Sequence, residues 1–201
     1  MNDKYSSPFE PDAFYHVYAR SNNGETLFLT DENRTFFLLK LERYIGQIAT
    51  VYAYCLMDNH VHFMIKLKAK EELTSKLADK GLGVNEAVSQ LFRKFFISYS
   101  ASFNRFYDRK GNLFQRPFRR IHVDTDSYFT ALIAYIHCNP TKHLNKNYQT
   151  WTWSSYKAML SNKPTKVARA EVLQWFGGPV DFEKFHKGYS EAYLDERYWL
   201  E

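Results

Sequence analysis

Four short runs of this 201-residue chain read as strands and two long ones as helices, and their order predicts an α+β fold. The order is strand, helix, strand, strand, helix, strand, the ferredoxin-like split βαβ arrangement, in which helices pack against an antiparallel sheet. Turn residues mark the breaks: Ser21-Asn22-Asn23-Gly24 after the first run and Asp58-Asn59 between the second and third. In this topology strands one and three lie side by side at the centre of the sheet.

Phe14 to Arg20 is the first strand. Asp31 to Gly46 follows as an amphipathic helix, with Phe36, Phe37, Leu39, Leu41 and Tyr44 as its apolar positions and Thr30 or Asp31 as N-cap. Val51 to Met57 and Val61 to Leu67 flank the Asp58-Asn59 turn as a hairpin. Residues 69 to 86 are charged and contain Gly81 and Gly83, which reads mainly as a mobile connection with room for a short helix. Asn85 to Tyr107 carries the clearest helical period: Val88, Leu91, Phe92, Phe95, Phe96, Tyr99, Phe103 and Phe106. Arg109 to Arg120 is a basic loop marked by Gly111 and Pro117, and it leads into a fourth strand, Arg119 to Asp124. A helix capped by Thr125 or Asp126 then runs to Asn139, because Pro140 disfavours helix at the residue before it. Beyond an aromatic stretch, 148–156, whose tryptophans serve as anchors, Lys163 to Lys166 reads as a linker. Short helices at Ala168 to Phe176 and Asp181 to Leu194 follow. The chain divides into a catalytic domain, 1–160, and a helical extension, 161–201.

With 45% hydrophobic and 24% charged residues the chain reads as a folded, water-soluble protein. No apolar run is long enough for a membrane span and no signal segment opens the chain, so a cytoplasmic location is expected. Cys55 and Cys138 lack Cys-x-x-Cys spacing and read as buried thiols. A net charge of +5 and a pI near 9.0 favour a polyanionic partner. Aromatic residues make up 18% of the chain, and several are interleaved with arginines where a single strand of nucleic acid could stack and be neutralised.

Strand alternation places His60, His62, Met64 and Lys66 on one face and Val61, Phe63, Ile65 and Leu67 on the other. The two imidazoles can share one metal ion, or they can be strand histidines that face solvent or hydrogen-bond. Tyr135 and Asn139, four apart on a helix, share a face. They form either a functional pair or a tyrosine above a C-terminal cap.

The run Tyr54-Cys55-Leu56-Met57-Asp58-Asn59-His60-Val61-His62 resembles the His-hydrophobic-His (HUH) signature of the single-tyrosine insertion-sequence transposases. Tyr135-Ile136-His137-Cys138-Asn139-Pro140 resembles the tyrosine helix of their REP-associated branch, REP denoting repetitive extragenic palindromes. Gly111 to Phe118 and Trp153-Ser154-Ser155-Tyr156 also match blocks of that branch, in the same order and spacing, covering roughly residues 12 to 157. His137-Cys138 and Thr141-Lys142 depart from the family's usual residues.

The resemblance implies a transposase, an endonuclease and strand transferase acting on single-stranded DNA that folds into hairpins. Tyr135 would be the nucleophile, forming a 5′-phosphotyrosine. His60, His62 and Asn139 would hold a divalent cation, Mg²⁺ or Mn²⁺. Arg20, Asn22, Phe114, Gln115, Arg116, Arg119 and Arg120 are the expected DNA contacts. His16 and His137 are candidates to accept the tyrosine proton, and His122 and His143 could touch phosphates. The protein would act as a monomer or a homodimer. Two alternatives stand beside this: a domesticated hairpin-binding protein that does not cleave, and a metal-dependent phosphodiesterase that uses water.

Overall fold

A computed structural model describes residues 5–77 and 81–193. The elements are β1 (Phe14–Arg20), α1 (Asp31–Tyr44), β2 (Ala49–Leu56), β3 (His60–Leu67), α2 (Lys70–Leu77), α3 (Val84–Phe106), β4 (Arg119–Val123), α4 (Asp126–Leu144), α5 (Tyr156–Met159), α6 (Arg169–Phe176) and α7 (Pro179–Tyr193). The strands form one antiparallel sheet in the order β2-β3-β1-β4, which is the expected α+β, ferredoxin-like arrangement with β3 and β1 at the centre.

Two helices begin where a side chain satisfies their free N–H groups. Thr30 caps α1, accepting from the Asn33 N–H, while the Asn33 side chain accepts from the Thr30 N–H. Thr125 caps α4 by accepting from the Tyr128 N–H. On one sheet face the aromatic stripe of α3 meets α1 and β3, with Phe37, Phe63, Phe95 and Tyr99 in mutual ring contact. That stripe is core except at its end, where Phe106 is exposed. Residues 70–77, expected mainly as a connection, form α2, whose Leu73 and Leu77 are buried; residues 78–80 lie outside the described set.

The other sheet face is covered by α4, which packs across β2 and β3. A strand covered on both faces loses the in-out alternation of burial, and β3 is buried at every position except Lys66. The solvent-facing reading of His60 and His62 is therefore overturned.

The expected end of the tyrosine helix is also corrected. α4 passes through Pro140 and ends at Leu144, capped by Asn145 in the left-handed region (φ 52), whose N–H bonds the Pro140 carbonyl. A proline inside a helix costs about 3 kcal/mol. Packing offsets it here: residues 132–140 are buried without a break, between the sheet and α7. Asn139 is an interior helical residue, not a cap.

The chain after α4 closes the outer edge of β2. Leu56 N–H bonds Trp153 O at 2.8 Å, Ser155 N–H bonds Tyr54 O at 3.0 Å, and Ala168 N–H bonds Val51 O at 2.9 Å, so the exposed ladder is covered. The Arg34 guanidinium lies over the rings of Phe28, Trp151 and Trp153 and pairs with Asp58 at 2.6 Å, pinning this segment to α1 and the hairpin turn. The tryptophans are anchors, as expected. α7 lies against α4 and α6; its expected end at Leu194 falls outside the described residues.

Candidate active site

Antiparallel pairing sets Tyr18 opposite His62 and Arg20 opposite His60, and partners across a ladder share a face. With period two, His16, Tyr18 and Arg20 of β1 therefore stand beside His60 and His62 of β3, beneath α4. His62 Nδ1 lies 2.9 Å from His16 Nε2. Tyr18 stacks on both rings, with centroids 4.9 Å from His16 and 5.6 Å from His62. His60 and His62 meet at 5.0 Å with their planes at 89°.

The helix completes the arrangement. The Tyr135 ring meets His62 edge-on at 5.4 Å and His16 at 5.9 Å, and His143 meets His60 at 5.2 Å. Residues 135, 139 and 143 are spaced by four and lie along one helical face. Asn139 therefore sits between two side chains that each touch the histidine pair, and it is 0% exposed.

Hydrogen bonding fixes which atoms are available. His60 Nδ1 is 2.7 Å from Asn59 Oδ1, an acceptor only, so Nδ1 donates and Nε2 of the neutral ring keeps its lone pair. Asn139 Nδ2 donates to the Tyr135 carbonyl at 2.7 Å, one turn back, so its Oδ1 remains as acceptor. Among the described residues, Asn139 Oδ1 and His62 Nε2 are buried without a hydrogen-bond partner. Burial, then the neighbouring His16, His60, Arg20 and His143, hold the His62 pKa well below its usual value. It is a neutral imidazole, the form that binds metals.

Buried polar atoms without partners cost free energy; a cation would repay it where the Asn139 oxygen and the His62 nitrogen present lone pairs. Two imidazole nitrogens and an amide oxygen make a mixed donor set suited to a divalent ion, and the bonds to Asn59 and His16 orient the two rings. The residues fit a metal. The set carries no negative charge, and its third donor is an amide: among the described residues no cluster of three or more His, Cys, Asp or Glu side chains is placed to hold a metal, so the fit depends on Asn139.

A cavity of about 20 Å³ lies beside Tyr135, lined also by His16, Tyr18, His62, Tyr128 and Leu132. It is roomy enough for about one water and far too small for a phosphodiester. Tyr135 itself is 2% exposed.

The expected DNA contacts divide into two groups. Arg20, Gln115, Arg116 and Arg119 are exposed, with Arg119 over the Tyr5 ring at 5.0 Å. The other three are committed to the fold. Asn22 donates to the carbonyls of Asn112 and Phe114, which holds the basic loop against the end of β1. Phe114 is buried against Phe37, Phe96 and Tyr99. Arg120 bonds Ser7 O at 2.5 Å and lies over Phe9 and Phe118.

Of the proton-acceptor candidates, His16 contacts Tyr135, whereas His137 lies on the far side of α4. It is bonded to His186 of α7 at 2.9 Å and to Ser155 at 2.7 Å. His143 stands against His60, while His122 is on β4 beside Tyr15. Sequence reasoning passed over Tyr18, though its two-residue spacing from His16 could have marked it. It also passed over His186, for which no local pattern exists.

No protein-family model matches the chain, and no curated protein matches it. Its fold is similar to a solved structure described as a REP-associated tyrosine transposase bound to a REP hairpin. The TM-score is 0.60 over 84% of this chain and 92% of that one, at 15% sequence identity. The likeness establishes a shared fold. Among the described residues no helix is long and apolar enough to cross a membrane.

Proposed function

We propose that this chain is a metal-dependent transposase that recognises hairpin DNA and cleaves a single strand through a 5′-phosphotyrosine at Tyr135. The observation that carries the reading is the face of α4: Tyr135, Asn139 and His143 lie along it above His62 and His60, with buried polar atoms on Asn139 and His62 left unsatisfied. The fold shared with a hairpin-bound transposase supports the same substrate class.

His60, His62 and Asn139 would hold Mg²⁺ or Mn²⁺, which when bound draws charge from a non-bridging phosphate oxygen. Tyr135 supplies the nucleophile: its phenol gives its proton to a base, for which His16 is the candidate in contact, its oxygen bonds to phosphorus, the P–O3′ bond breaks, and the leaving oxygen takes a proton from water to become a 3′-hydroxyl. Because the phosphotyrosine keeps the energy of the broken bond, attack by another 3′-hydroxyl reverses the step and joins DNA. His16 and Tyr18 hold His62 in orientation. Arg20, on the same face as His60, and Arg119 offer charge to the backbone phosphates.

A second reading, hairpin binding without cleavage, is favoured by the small size of the cavity beside Tyr135. A labelled hairpin oligonucleotide separates the two. Wild type, Tyr135→Phe and His62→Ala are each incubated with Mn²⁺ or with EDTA and run on a denaturing gel. A protein–DNA adduct only in wild type with Mn²⁺ is the expected result. Cleavage that survives Tyr135→Phe makes water the nucleophile, and binding with no cleavage supports the second reading.

A further inference from the structure

Three hollows form one track from Tyr135 around the end of the sheet. The cavity beside Tyr135 shares Tyr18 with a second hollow of about 300 Å³, which Tyr5, Arg20 and Arg119 also line. The second shares Ala19, Gln115 and Pro117 with a third, of about 860 Å³, between α3 and the 111–118 loop. Tyr18 and Arg20 belong to the α4 face of β1 and Ala19 to the α3 face, so the second hollow turns the corner from one face to the other.

The third hollow has an apolar floor of Phe96, Phe114 and Phe118 and a rim on which exposed Arg93 and Arg116 outnumber the single carboxylate of exposed Glu86. Among the described residues the Ser89 hydroxyl, which lines it, is buried without a hydrogen-bond partner. The Arg120 pKa is lowered mainly by burial, against an opposing effect of Tyr15, and the charge of nearby Arg93 lowers it further. Like charges held together beside an unsatisfied hydroxyl and an aromatic floor suit an anion joined to a flat apolar group. An apolar peptide would leave the arginines uncompensated.

We infer that the third hollow takes the base of an unpaired nucleotide on the strand leading from Tyr135, with adjoining phosphates against Arg93 and Arg116. The inference rests on the proposed single-stranded DNA activity and adds a second point of strand capture on the opposite sheet face. Its volume is in the range of small-molecule sites.

Ala101 is exposed on α3 and lines the hollow, so Ala101→Trp fills it without entering the core. Anisotropy is measured on the full chain carrying Tyr135→Phe, with a blunt DNA hairpin and with the same hairpin bearing a single-stranded extension. Ala101→Trp and Arg93→Ala should each weaken binding of the extended probe roughly tenfold, within the worth of one stacked base or one phosphate contact. They should leave the blunt hairpin unchanged, and circular dichroism confirms that both variants are folded. A parent that prefers the extended probe, with neither variant weakening it, overturns the inference alone. Equal losses on both probes overturn it as well, since they report charge rather than the strand. A parent that binds neither probe overturns the DNA reading and this inference with it.

Discussion

Taking the protein from pH 7 to pH 5 should cost it about 2 kcal/mol of stability through His186. This residue on α7 closes a directional chain of hydrogen bonds. Its Nδ1–H donates to Phe182 O at 2.8 Å, leaving Nε2 to accept from His137 Nδ1–H at 2.9 Å. His137 Nε2 then accepts from the Ser155 hydroxyl at 2.7 Å, and Ser155 Oγ accepts from the Tyr54 N–H at 2.9 Å. Both rings must be neutral, because a proton on His186 would set two N–H groups against each other. Burial pushes the His186 pKa down from 6.5 to about 4, only partly offset by its bond to Phe182 O. With the folded pKa depressed, the unfolded chain takes up its proton first as pH falls. The stabilisation is present above pH 6.5 and is lost as pH drops through 4; linkage gives about 2 kcal/mol between pH 7 and 5. Of the other groups around the ring, burial raises the Tyr148 and Tyr156 phenols and takes the Cys138 thiol up to about 12, so all stay neutral. His137 is held well below its usual value by burial and by His186. His186→Gln keeps an acceptor for His137 but does not titrate. Urea unfolding at both pH values, followed by circular dichroism, should show wild type losing about 2 kcal/mol more than the variant. Equal losses would refute the assignment.

Asn139→Leu removes a buried acceptor without a partner, so in EDTA it should raise the urea midpoint by the equivalent of about 1 kcal/mol while abolishing the covalent adduct; a lowered midpoint would count against an orphaned Oδ1. Mn²⁺ at about 100 times its Kd should stabilise wild type by about 2.7 kcal/mol and leave His62→Ala unmoved, read by thermal melting without DNA. Arg34→Ala should cost about 1–2 kcal/mol, chiefly because it empties the space between Phe28, Trp151 and Trp153, the lost pair with half-exposed Asp58 adding little. Arg34→Lys should recover less than half of that on the same melt, because a compact ammonium cannot span those rings and the carboxylate together.

What was legible in the sequence is what depends on short-range periodicity. The common face of His60 and His62 follows from period two, and that of Tyr135 and Asn139 from a spacing of four; the order of elements then limits the topology to few choices. What was not legible depends on which surfaces meet. The burial of β3 on both faces needs α4 laid over it. The charge run 116–120 looks uniform, yet Arg120 is drawn inward by Ser7 and Phe9, residues more than a hundred positions away, while Arg116 and Arg119 stay exposed. His137 looks like a neighbour of Tyr135, but two residues along a helix is the opposite face, and its partner, His186, lies 49 positions on. Pro140 is the most instructive case. Local chemistry says that the helix stops, and packing between the sheet and α7 carries it a further turn. That turn makes Asn139 an interior residue, with its amide under the protein rather than in water, and brings His143 to His60. A helix-breaking residue inside a helix and an acceptor buried without a partner are each unfavourable for folding. Their occurrence at adjacent positions, one turn beyond Tyr135, is the pattern expected where a fold gives up stability for function, and it argues that the α4–β3 contact is where the chemistry resides.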